Sequence, residues 1–115
     1  MKTERQEAQK IKPMDTTFSI AVTLNLKKKK LPYGKFSLGR EKASSMEIFS
    51  MLKGKNENGH SCAIQMELSQ EIAGLPVPIS MIYCSLEELK ENVAVISREI
   101  FRIAQLEEGD IIPLQ

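Results

Sequence analysis

Ser85-Leu86-Glu87-Glu88 opens the stretch that most limits how this chain can fold. The Ser85 hydroxyl is placed to accept from the Glu88 amide, and the Glu88 side chain to reach back, which together make a capping box. Glu87, Glu88 and Glu91 sit where the positive end of a helix dipole favours anions. Behind them Leu86, Leu89, Val93, Ile96, Ile100, Ile103 and Ala104 recur every three or four residues, the spacing of one helix face. Gly109 suits a left-handed closing residue, and Pro113 cannot extend the helix. At about 1.5 Å per residue, a helix over 86–108 is roughly 35 Å long. A chain of 115 residues has to arrange itself around that rod.

The apolar arc is wider than one sheet requires. Ala94 and Phe101 extend one flank, while Val95 and Leu106 lie on the far side among Glu88, Glu99 and Arg102. A stripe of about 100° is enough for a helix resting on a sheet. Either a second helix packs alongside, or the excess forms a subunit interface. The tail adds Ile111, Ile112 and Leu114, too apolar for a solvated end. The candidate interface is therefore Val95, Phe101, Leu106, Ile111, Ile112 and Leu114, and the simplest assembly it predicts is a two-fold homodimer.

Strands precede the helix. Phe18, Ile20, Val22, Leu24 and Leu26 alternate strictly with Ser19, Ala21, Thr23, Asn25 and Lys27, which predicts a strand with one wet face. Lys27 to Gly34 reads as a turn, and Lys35-Phe36-Ser37-Leu38 as a short returning strand. A helix over about 40–53 follows, with Met46, Ile48, Phe49 and Leu52 as its apolar face and Ser44-Ser45-Met46-Glu47 as one capping option. Cys62, Ile64, Met66 and Leu68 alternate again. Glu71 to Pro76 reads as a hairpin connection. Val77, Ile79, Met81, Ile82 and Tyr83 then predict the most buried strand, with Pro78 marking an edge, a bulge or a late start.

The order is ββαββα. It implies an α+β, two-layer domain over 16–115, with a mostly antiparallel four-stranded sheet and two helices on one face. Residues 1–15, polar and ending near Pro13, are expected to be a flexible arm. No apolar run approaches the ~18 residues a membrane helix needs, and the first ten residues lack the apolar core of a secretory signal. Cys62 and Cys84 are too few for a disulfide framework and fit a reducing, cytoplasmic setting.

The net charge of +1 conceals a segregation. Residues 27–42 carry Lys27, Lys28, Lys29, Lys30, Lys35, Arg40 and Lys42 against Glu41 alone, whereas residues 43–115 hold 5 basic and 11 acidic side chains. Lys27, Lys28, Lys29, Lys30, Lys35 and Arg40 are the candidate polyanion contacts, with Tyr33 and Phe36 available to stack on bases. Lysines at a sheet end also block edge-to-edge pairing, which needs no ligand.

Catalytic signatures are missing. His60 and Cys62 share a strand face, as an imidazole–thiol pair would, but Cys62 falls on the apolar side where cysteine acts as a small hydrophobe. With Cys84 they offer three metal ligands at no zinc-motif spacing. Gly34-Lys-Phe-Ser-Leu-Gly39 fits neither phosphate-binding glycine pattern. No cofactor is expected. The expectation is a non-enzymatic interaction or accessory module that self-associates and meets a protein partner, with nucleic-acid binding through 27–42 as the alternative and an enzyme without a recognisable motif as the second.

Overall fold

The computed structural model describes residues 16–57 and 63–108, with the backbone alone described over 105–108. The elements are β1 (Thr16–Asn25), β2 (Lys30–Gly39), α1 (Lys42–Ser50), β3 (Ile64–Ile72), β4 (Leu75–Cys84) and α2 (Leu86–Glu108). Four antiparallel strands lie in the order β2-β1-β3-β4, and both helices cover one face. Each ββα half contributes one central and one edge strand, so the two halves meet along the β1–β3 pair. The arm 1–15, the His60/Cys62 pair and the tail residues Ile111, Ile112 and Leu114 lie outside the described residues.

Alternation decides what the helices cover. Phe18, Ile20 and Val22 of β1 lie in one cluster with Ile64, Met66 and Leu68 of β3, and Ile20 stands directly opposite Leu68. Ile48 and Phe49 of α1 join them from above, as do Leu89 and Ile96 of α2. Ile96 is fully buried, at 0% exposure. Val93, Ile100 and Ile103 pack on the margin of the cluster, which continues the seam three and four residues at a time. The α2 cap forms as its sequence specifies: Glu88 N–H donates to Ser85 Oγ at 3.2 Å, and Ser85 N–H to Glu88 Oε1 at 2.9 Å.

Several expectations are corrected. Lys27 to Gly34 is not all turn: β2 begins at Lys30, so only 26–29 reverse the chain, closed by Leu26 N–H to Lys29 C=O at 2.8 Å. Pro32 is tolerated because β2 is an edge strand, and Tyr33 is absorbed as the extra residue of a bulge opposite Val22 and Thr23. β4 is not the most buried strand. It is the other edge, with Leu75, Pro76, Val77 and Pro78 exposed, and a bulge opposite Leu68 and Ser69 absorbs Ile79. Its apolar composition came from a strand with only one covered face.

α1 is shorter than 40–53 and has no Ser44 capping box. Glu41 is its N-cap without a side-chain cap, and the buried Ser45 hydroxyl donates to Glu41 C=O at 2.8 Å. Met46 and Leu86, both assigned to apolar faces, are 43% and 63% exposed. β3 runs on to Ile72, so the second hairpin turns on Ala73 and Gly74 alone, both at positive φ (53° and 88°). Two-residue turns of that handedness match the twist of the flanking strands.

Candidate functional site

Among the described residues, two surfaces gather the candidate interface and polyanion-binding side chains. The first lies where the end of β2 meets the second half of α2. A groove of about 440 Å³ is lined there by Leu38, Ile100, Ile103 and Ala104, with Ser37, Gly39, Arg40 and Glu41 on its polar side. Phe101 follows Ile100 on α2 and is 61% exposed. Of the candidate interface residues, Val95 is half-buried and Phe101 is the exposed one, while the Leu106 side chain lies outside the described residues.

Arg40 and Glu41 put charge of both signs on the rim of this groove, and a second charged cluster lies further round α2. Arg102 Nη2 lies 2.8 Å from Glu99 Oε1 and Arg98 Nε 3.2 Å from Glu99 Oε2. The hydrogen bond from Arg102 holds the Glu99 carboxyl below the usual carboxylate range; burial opposes this and Arg98 reinforces it. One acidic side chain thus aligns two guanidinium groups along the helix surface.

The second surface is the sheet face that the helices leave. Thr17, Ser19, Ala21, Thr23 and Asn25 of β1 lie on it beside Gln65, Glu67, Ser69 and Glu71 of β3. The proposed basic set is divided here. Lys35 ion-pairs with Glu71 across β1, over the buried Ser19, whose hydroxyl is 3.5 Å from the same Glu71 oxygen. Arg40 follows the far end of β2, beside the groove. Lys27, Lys28, Lys29 and Lys30 stay together at the hairpin end, all exposed and, among the described residues, without a carboxylate within ion-pairing distance.

Tertiary structure brings a further cation to that end. Lys55 forms an isolated antiparallel bridge with Tyr83: each backbone N–H donates to the other's carbonyl at 2.8 Å. Directly opposed residues of antiparallel strands share a face. Lys55, Tyr83, Gln65 and Thr23 therefore form one row across the open face, and Asn25 with Lys30 begins the next. Gly54 makes this approach possible, because a Cβ there would meet the Tyr83 carbonyl at 2.9 Å.

A pocket of about 400 Å³ opens between Asn25, Leu26, Lys29, Lys30, Gln65 and Tyr83. The Asn25 Oδ1 atom beside it is buried without a hydrogen-bond partner. Lys55, Gln65, Tyr83 and Asn25 escaped sequence reasoning because they come from four separate segments. Alternation placed Asn25 and Gln65 on wet faces, whereas Tyr83 fell in the strand expected to be most buried and Lys55 in a polar loop, so nothing local marked them as neighbours.

Among the described residues no three His, Cys, Asp or Glu side chains come together to hold a metal, and no helix is long and apolar enough to cross a membrane. Compared with protein-family models, curated proteins and solved structures, the chain matches none.

Proposed function

We propose that this protein is a cytoplasmic, non-enzymatic interaction module whose first partner is a second copy of itself. Phe101 carries the reading: a large aromatic side chain, 61% exposed, beside a groove with an apolar floor. Leaving such a ring in water forgoes the burial free energy that makes aromatic residues frequent interface anchors. A two-fold contact would seat Phe101 of each copy over Leu38, Ile100 and Ile103 of the other. It would also set Glu41 of one copy against Arg40 of its mate, both on the rim of the groove, a pairing that a self-complementary surface supplies twice.

Sedimentation equilibrium at micromolar concentration tests it. The expected mass is twice 13.0 kDa for the wild type, with Phe101→Ser shifted toward 13.0 kDa and its helical circular dichroism retained. A wild type at 13.0 kDa across the concentration range overturns the proposal.

A further inference from the structure

The hairpin end of the open sheet face combines features that the dimer does not use. Lys27 to Lys30 concentrate positive charge within four consecutive positions. Lys35, Lys53, Lys90, Arg98 and Arg102 each have a carboxylate partner, whereas these four have none among the described residues. Lys55 arrives at the opposite end of the same row by its bridge to Tyr83. Between the cations lie an aromatic ring and two amide side chains, Gln65 and Asn25. From Lys55 across to β2 is four strand spacings, about 19 Å at about 4.8 Å each.

We propose that this row binds single-stranded nucleic acid, with phosphates on Lys29, Lys30 and Lys55 and a base against the Tyr83 ring. Cations on both sides of an aromatic platform suit a chain that alternates charge and flat rings, because every base has a stacking face. Gln65 and Asn25, which line the pocket, bring side-chain amides beside the ring where base edges would lie. Glu67 lies one row further along the face, next to the Lys35–Glu71 pair, so acidic charge bounds the site on that side. The ligand therefore crosses the strands rather than running along them. A duplex cannot present unstacked bases to Tyr83 and is the poorer ligand.

Fluorescence anisotropy with a short labelled oligothymidylate, titrated at several salt concentrations, tests this on the full chain. Each lysine that meets a phosphate adds about 0.7 to the slope of log affinity against log salt for single strands. Lys29→Ala with Lys30→Ala should lower that slope by about 1.4, and Lys55→Ala alone by about 0.7. Tyr83→Leu should weaken binding roughly 10-fold with the slope unchanged, while Tyr83→Phe binds as the wild type does. If Tyr83→Leu fails to fold, Lys55→Ala, at an exposed position, carries the test, and binding with an unchanged salt slope then overturns the proposal. Lys90→Ala, on α2, should change neither. The same sequence as a duplex, or a free nucleoside monophosphate, should bind more weakly than the single strand.

No salt-dependent binding by the wild type overturns the proposal. So does binding that survives both Lys55→Ala and Tyr83→Leu unchanged, which would reduce the lysine run to general attraction. Equal affinity for the duplex removes the stacking role, and inorganic phosphate competing as strongly as the oligonucleotide reduces the site to a simple anion pocket; either result also overturns it. The row shares no residue with the Phe101 groove, so neither proposal falls with the other.

Discussion

The side-chain amide of Asn92 pairs with both backbone groups of Lys53: Oδ1 accepts from the Lys53 N–H at 2.8 Å, and Nδ2 donates to the Lys53 carbonyl at 2.9 Å. Asn92 is buried to 1% exposure within the α2 seam, and its Nδ2 also lies 3.5 Å from Met66 Sδ. A single helix residue thus fixes the segment after α1, which goes on through Gly54 to place Lys55 against Tyr83. The ion pair of Lys53 Nζ with Glu91, at 2.5 Å, lies outside this contact and is exposed, so it adds little.

Asn92→Leu should therefore destabilise the fold despite its apolar setting. It removes two hydrogen bonds and leaves a backbone donor and acceptor without their partner, a loss of about 2–4 kcal/mol. Chemical denaturation measures it. A variant within about 0.5 kcal/mol of wild type would mean that water replaces the amide at no cost.

Burial along α2 separates two isoleucines one turn apart. Ile96→Ala should cost about 3–4 kcal/mol, because Ile96 is fully enclosed, and Ile100→Ala about 1–2 kcal/mol, because Ile100 is half-buried at the groove. The same denaturation experiment ranks them, and a reversed order would mean that the second half of α2 covers the core more closely than the first.

Ala73 sits at φ 53° in the β3–β4 turn, where a side chain with a Cβ is strained. Ala73→Gly or Ala73→Asn should raise the stability by about 0.5–1 kcal/mol, since both residues accept that region more readily. Gly74→Ala should do the opposite. No atom lies within 4 Å of a Cβ built there, so its cost would be purely conformational.

Glu99 predicts an acid-dependent term. Its carboxyl is held below the ordinary range in the folded state, chiefly by the hydrogen bond from Arg102. A depressed folded pKa contributes stability that is present above the unfolded value and is lost as pH falls through the folded one. Glu99→Gln should thus be less stable than wild type at neutral pH, with the gap closing as pH drops below the usual carboxylate range. Urea midpoints collected from neutral to acidic pH measure this, and raised salt should narrow the gap.

Patterns that repeat within one element were legible in the sequence. Alternation assigned Phe18, Ile20 and Val22 to the covered face of β1, and the Ser85–Glu88 box fixed the start of α2, because both depend on residues a few positions apart. Burial of the Leu89–Ile96–Ile103 seam follows from the same periodicity. The positions that failed were those whose fate depends on a neighbour far along the chain. Val77 looked like core until β4 proved to be an edge strand, and Lys35 looked free to meet a ligand until β3 set Glu71 within reach across β1. Asn92 is a polar residue on an apolar helix face, and only the backbone of Lys53 explains it. Local periodicity determines which way a side chain points. Strand order and the closing of loops determine what it meets there, and a charge or an amide has its effect only against that neighbour.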